Sequence, residues 1–340
     1  MKRKCLTIVY AMIAFTATSQ GDTLFSTKEP LNIGFSISIK SIKNAKEDSV
    51  YFKNKMYYQN AAGVTDSIKI GLRRRGNFRL RECYFPPLWM KIEKKNSKHT
   101  LFEGNKKLKV VLPCKTGPGS NDLILKEYLC YKLYEAITPY AFKTRLANID
   151  FTDERGKKNK DFQLKGILIE DVDKTAKRLQ AKAVSEAKVH ASALNDTCAL
   201  RFDLFQLLIS NTDWSKGFQH NSKLIYRDSK YIPIPYDFDM SGVVDAPYAV
   251  VSKVGDEQLP IESVRERYYR GFCASKETTQ FIRNEFLANK EKLLAVPDEL
   301  TGILPVKEIE NIKSYLNEFF EILKYDYSFE AEVISNCRAR

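Results

Sequence analysis

A two-stranded hairpin held between two acid-bearing loops constrains this chain more than any other feature. Residues 211–242 read NTDWSKGFQHNSKLIYRDSKYIPIPYDFDMSG. Ser222 to Tyr226 and Lys230 to Ile234 alternate apolar and polar residues on either side of Arg227-Asp228-Ser229, the pattern of two antiparallel strands and a tight turn. A hairpin folds back on itself, so Asp213 and Asn221 before it can converge with Asp237 and Asp239 after it. Convergent carboxylate and amide oxygens are hard donors suited to magnesium, and one such carboxylate can instead act as a general base.

The rest of the chain divides at an acidic connector. Period-two alternation marks strands at residues 31–40, 50–58, 67–72, 88–93, 107–112, 144–151 and 162–169. A turn-rich break at 113–120 precedes an amphipathic helix, capped by Asn121 or Asp122 and running to about Ile137. After Glu170-Asp171-Val172-Asp173 the pattern predicts a helix to about Val189, an apolar helix over 198–209, and later helices near 261–269, 277–294 and 306–325. The expected architecture is α+β: a β-rich part with one helix over 28–169 and a mainly helical part over 170–340 that carries the Asp/Asn/Asp set.

With 340 residues, 44% of them hydrophobic, the chain is long enough to bury a sizeable core. Residues 1–21 combine a basic start at Lys2-Arg3-Lys4, an apolar run from Cys5 to Ala17 and small polar residues, which reads as a secretory signal peptide. Export is therefore expected, with no membrane span once the leader is removed. The formal charge is +13, three of it in the leader, which favours acidic partners: a nucleotide, an acidic protein or a surface glycan, with nucleic acid disfavoured by export. Six Cys remain outside the leader, none spaced CxxC, and with only 3 His zinc is not expected. Cys83 with Cys114 is the expected disulfide, buried free thiols being the alternative.

Enzymes of phosphoryl transfer place a cation on the phosphates, magnesium on oxygen ligands and an acid beside the attacking hydroxyl. Lys91 on a strand, Glu127 on the following helix where it can pair with that Lys, and the ordered Asp213, Asn221 and Asp237 supply such parts. Each also has a plainer reading, as a solvated strand face, a helix surface or turn residues. Trp214 and Phe238 read as packing residues, and His220 as a loop residue without a catalytic role.

On Arg73-Arg74-Arg75-Gly76-Asn77, Lys91, Lys107-Leu108-Lys109, Glu127, Ile169-Glu170-Asp171, Asn211-Thr212-Asp213-Trp214, Asn221 and Tyr236-Asp237-Phe238-Asp239, the chain resembles the CotH family of exported atypical kinases over residues 67–242. The resemblance implies a protein-kinase-like fold, with a β-rich N-terminal lobe and a mainly helical C-terminal lobe. It also implies transfer from ATP, with magnesium, to a protein or cell-surface hydroxyl. Asp213 is then the base, Asn221 and Asp237 the metal ligands with Asp239 as the substitute, and Lys91, Glu127, Glu170 and Arg75 the nucleotide-binding set. The sequence departs from protein kinases in having no GxGxxG before Lys91, which leaves phosphate contacts to Arg73–Arg75 or to backbone amides, and in a long Asp213 to Asn221 gap. Two other readings use the same residues: an inactive module that binds the envelope through its basic surface, and a glycoside hydrolase with Asp213, Asp237 and Asp239 as acid and base.

Overall fold

Seven strands close into a barrel: β1 (Leu31–Ile37), β2 (Phe52–Gln59), β3 (Thr65–Arg74), β4 (Leu88–Ile92), β5 (Lys107–Val111), β6 (Thr144–Asp153) and β7 (Lys160–Glu170). The computed structural model describes residues 22–339 other than 48, 61, 77, 186 and 187, so the expected leader and Asn77 lie outside the described residues. Around the barrel the order is β1-β2-β3-β4-β5-β7-β6. All neighbours are antiparallel except β1 and β6, which pair in parallel from Leu31↔Ala147 to Ile37↔Asp153.

That parallel pairing overturns the expected protein-kinase-like fold. The two-lobe arrangement is not what the chain adopts, because β1 returns to β6 and shuts the sheet on itself. Alternation reports which face of a strand is buried and is silent on which strand it pairs with. Inward-facing Leu31, Ile33, Phe35 and Ile37 of β1 meet Leu72, Met90, Leu108 and Phe151 in one apolar interior. Each such fully buried side chain contributes ~1.5–3 kcal/mol relative to exposure.

Three short helices, α1 (Ile39–Lys43), α2 (Phe78–Glu82) and α3 (Lys94–Ser97), interrupt the strands, and α4 (Ser120–Ile137) packs outside β6 and β7. Its start follows Gly119, whose φ of +76° suits glycine. Asn121, expected as a cap, instead bonds β7, its Oδ1 accepting from the Lys165 amide at 2.8 Å. Beyond the barrel come α5 (Val172–Arg178), α6 (Asp196–Leu208), α7 (Lys276–Ala288), α8 (Lys290–Ala295) and α9 (Val306–Lys324). Leu129 and Leu133 of α4, Leu204, Phe205 and Leu208 of α6 and Phe319 and Phe320 of α9 form a second core. Asn195 and Ser275 cap α6 and α7, accepting from Cys198 N at 3.0 Å and Thr278 N at 3.2 Å.

The hairpin is present as β9 (Ser222–Arg227) and β10 (Lys230–Pro235), paired Lys230↔Arg227 to Pro235↔Ser222. Asp228 and Ser229 at its turn have φ of +51° and +59°, as a two-residue turn matching strand twist requires. The expected helix to Val189 stops at Arg178, because residues 182–183 form β8 (Lys182–Ala183) and extend the hairpin into a third strand. No helix forms over 261–269: Ser210 Oγ donates to the Val264 and Glu266 carbonyls at 2.9 and 2.7 Å, and Arg265 and Arg267 stack on the Tyr315 ring. Cys83–Cys114 is a disulfide as expected, Cys273–Cys337 is a second, and Cys130 and Cys198 are free and buried. Among the described residues no helix is long and apolar enough to cross a membrane.

Candidate functional site

A cleft of about 1290 Å³ lies between the β3–β5 wall of the barrel and the loops that bracket the hairpin. Small-molecule sites typically occupy about 300–1,000 Å³, so the cleft is large enough for a ligand of that class. On the hairpin side it is lined by Asp213, Asn221, Asp237 and Asp239, the four residues that the folded-back chain was expected to gather.

The two loops are built around backbone that side chains other than Gly, Asn and Asp rarely adopt. Asn221 has φ +46° and Asp237 φ +64°. Such strain at about 1–3 kcal/mol per residue is held only where surrounding contacts over-determine it. Asn221 Nδ2 donates to the Asp213 carbonyl and to Asp213 Oδ2, each at 2.8 Å, and the Asp237 amide donates to Tyr131 Oη at 2.9 Å. Asn211 fixes the start of the loop, its Oδ1 accepting from the Asp213 amide at 3.0 Å and its carbonyl from Trp214 Nε1 at 2.9 Å. Trp214 and Phe238 are packing residues, buried against Phe202 and against Tyr131 and Phe205.

His220, read from the sequence as a loop residue without a catalytic role, lies with Nε2 2.8 Å from Asp213 Oδ1. Positive φ at Gln219 and Asn221 on either side, and the Ser215↔His220 bridge, turn the ring back onto the carboxylate. The hydrogen bond to Asp213 raises the His220 pKa; partial burial opposes this, and the Asp213 charge adds to it. A raised His pKa means that this contact stabilises the fold fully below the unfolded His value, about 6.5, and loses that effect as pH rises through the folded value. With only 3 His in the chain, proton NMR can follow each one. The His220 midpoint is expected above about 6.5 in the wild type and back near it in Asp213→Asn. A wild-type midpoint at or below that value would contradict the contact.

The barrel wall supplies cations, of which Arg75 was expected and Lys109 was not. Lys91 is not among the residues lining the cleft; it is exposed, its Nζ 5.7 Å from the Tyr51 ring. The cleft lysine is Lys109, which pairs with Trp89 across β4 and β5. It is 2% exposed, its Nζ lies 3.6 Å from the Tyr236 ring centre and 4.8 Å from that of Phe142, and no hydrogen-bond partner reaches it. Burial, then the charges of Arg75 and Lys223, push its pKa well below the usual lysine range, against Asp237 and Asp171. Arg75 lines the cleft as expected, its guanidinium 6.0 Å from the Trp89 ring.

The other missed residue is Arg79. The Cys83–Cys114 disulfide ties the end of α2 to the chain leaving β5, and α2 presents Arg79 inward, with Nη2 donating to the Leu112 carbonyl at 2.6 Å. Its guanidinium lies 3.7 Å from Glu127, 3.9 Å from Asp237 and 3.7 Å from Asp239. Glu127 therefore pairs with Arg79 and not with Lys91. Glu170 is also out of the site: it is fully buried and accepts from Arg178 Nη2 at 2.8 Å and Thr175 Oγ1 at 2.9 Å, holding α5 to the barrel.

Three carboxylates around one guanidinium leave negative charge in surplus. Burial first, with the neighbouring carboxylates adding and Arg79 opposing, raises the pKa values of both Glu127 and Asp239. Burial alone would lower that of Arg79, but Asp239, Glu127, Tyr248 and Asp237 outweigh it. Among the described residues no group of three or more His, Cys, Asp or Glu is gathered closely enough to hold a metal ion. Asp237 Oδ1 and Asp239 Oδ2 are nevertheless buried without hydrogen-bond partners, hard oxygens whose chemistry suits a divalent cation arriving with phosphate. No family model matches the chain, and no curated protein matches it.

Proposed function

We propose that the chain is a phosphotransferase that moves a phosphoryl group from ATP to a hydroxyl of a protein or a cell-surface molecule, the activity implied by its resemblance to the CotH family. The reading rests on the site, and no longer on a kinase-like fold. One observation carries it: two buried basic side chains with hydrogen-bonding capacity to spare, Lys109 through Nζ and Arg79 through Nε and Nη1, meet Asp213, Asn221, Asp237 and Asp239 in a single cleft.

In this reading Lys109, Arg75 and Arg79 take the phosphates, in place of Lys91. A phosphate anion would offset the burial and the like charges that lower the Lys109 pKa. Asp237 and Asp239, with Asn221, would hold magnesium, which when bound neutralises charge on the phosphates. Asp213 accepts the proton of the attacking hydroxyl through a carboxylate oriented by His220 and Asn221. Trp89 and Tyr236, lining the same cleft, offer apolar faces to a base or ribose and exclude water. Two disulfides favour an oxidising compartment, in keeping with export.

The test is transfer of label from γ-labelled ATP with magnesium, to the protein itself or to envelope extracts. Labelled product or released phosphate that requires magnesium is the expected result. Neither product under any acceptor condition would sink the reading.

A further inference from the structure

Near Asp213, two arginines lie close enough to act on each other; neither is in salt-bridge contact with a carboxylate among the described residues, and Asp213 and Asp203 act on Arg270 only at longer range. Arg270 is 8% exposed; it donates through Nη1 to the Thr212 carbonyl, and its Nε is buried with no hydrogen-bond partner. Arg338 is half-buried, stacks at 4.8 Å on the Phe272 ring, and also has a buried Nε with no partner. Both line the cleft that contains Asp213.

The arginines are held there by main chain. Arg338 N donates to the Gly271 carbonyl and Cys273 N to the Arg338 carbonyl, each at 2.9 Å, and the Cys273–Cys337 disulfide locks this pairing. A Cβ on Gly271 would run into the Tyr269 hydroxyl and lie 2.7 Å from Asp203 Oδ2, so this close packing favours glycine. A tether of this kind is more than an isolated surface arginine needs.

We propose that Arg270 and Arg338 form a subsite for a carboxylate of the acceptor, and that the acceptor is an acidic polypeptide segment. A guanidinium is a planar fork matched to a carboxylate, and two that repel each other at short range gain most from an anion between them. Burial, and then the charge of Arg338, lower the Arg270 pKa to about 10 against Asp213 and Asp203, a cost that a bound carboxylate relieves further. The subsite adjoins Asp213, the residue read as the base, so an anion held there belongs to the second reactant. The adjoining rim alternates bases with apolar groups: Lys188 stacks 4.9 Å from the ring of Phe218, which is 69% exposed, and Lys253 follows Val250, 62% exposed. That mixture suits acidic side chains interspersed with apolar ones.

The inference rests on Asp213 as the base, but its test needs no nucleotide. A fluorescein-labelled, glutamate-rich peptide containing one serine, and its glutamine counterpart, are titrated by anisotropy against the full chain. Wild type is expected to bind the glutamate peptide, and Arg338→Gln to bind it roughly 10- to 100-fold more weakly, the loss of one charge-assisted contact. Arg338→Lys should fall between, and Cys273→Ser/Cys337→Ser, which keeps both arginines but frees Arg338, should also weaken binding. Circular dichroism of each variant separates loss of the subsite from loss of fold. Equal affinity of wild type and a folded Arg338→Gln, or equal binding of the glutamine peptide, would overturn the proposal. So would inorganic phosphate or heparin binding in an Arg338-dependent way while the peptide does not. Failure of ATP binding, measured separately, would remove the phosphotransfer reading and leave this result standing.

Discussion

Asp213→Asn is expected to lower phosphoryl transfer roughly 10²- to 10⁴-fold, the range a positioned general base supplies. The amide keeps the shape of the carboxylate but cannot accept a proton. Asp213 is held by two side-chain contacts that aim it, His220 to Oδ1 and Asn221 to Oδ2, each 2.8 Å. It also stands clear of Arg79, whose guanidinium engages Glu127, Asp237 and Asp239. The loss should fall on kcat, with nucleotide affinity little changed, because Asp213 faces the acceptor and not the phosphates. A folded Asp213→Asn that retains transfer within about a factor of ten would remove Asp213 from the role of base.

Lys216→Met is expected to destabilise the chain by about 3–5 kcal/mol, the cost of leaving a buried charge without its partner. Lys216 Nζ lies 2.5 and 2.6 Å from the two Asp203 oxygens, and both side chains are almost fully buried, at 0% and 2% exposure. The ammonium is surrounded by the rings of Phe202, Trp214 and Phe272 at 5.2–5.6 Å. With total stabilities of about 5–15 kcal/mol, this is a large fraction. The pair pins the loop just after Asp213 to α6 and to the Gly271–Cys273 segment, so the same change should loosen the site. Denaturant unfolding followed by tryptophan fluorescence measures it, and the chain has only 2 Trp, one of them Trp214. Asp203→Leu/Lys216→Met should recover much of the loss, since no charge is then stranded. A single-variant loss below about 1 kcal/mol would show that the pair contributes little.

Much of the local structure is legible in the residues, and the errors are of one kind. Strand positions, the helix ending at Ile137, the hairpin and its turn all follow from short-range periodicity, and the structure has them. Closure of the barrel does not, because it depends on β1 meeting β6 more than a hundred residues away. The same gap explains Lys91. It and Trp89 share a face of β4, but two residues along a strand is about 7 Å, and the cleft covers only the Trp89 end. Lys109 becomes the cleft lysine through its register opposite Trp89, and register is set by pairing.

Arg79 and His220 were missed for a related reason. Arg79 sits on a five-residue helix whose orientation comes from the Cys83–Cys114 bridge and the Leu112 carbonyl, and the expected bridge alone was a usable signal that residues 78–83 lie against the end of β5. His220 faces Asp213 because two flanking residues take positive φ, which Asn221 permits but does not require and which Gln219 adopts against its preference. Asp213, Asn221, Asp237 and Asp239, by contrast, are gathered by the hairpin itself, and those four expected positions line the cleft.

The most direct test of the central claim, that this cleft receives a nucleotide with its metal, is calorimetric titration of ATP with and without magnesium. Wild type is expected to bind in magnesium. Lys109→Met should weaken binding roughly tenfold or more, as loss of a charged phosphate contact does. Asp237→Ala should bind weakly and no longer respond to magnesium. Absence of binding by the wild type, or binding indifferent to Lys109, Asp237 and magnesium alike, would contradict the account.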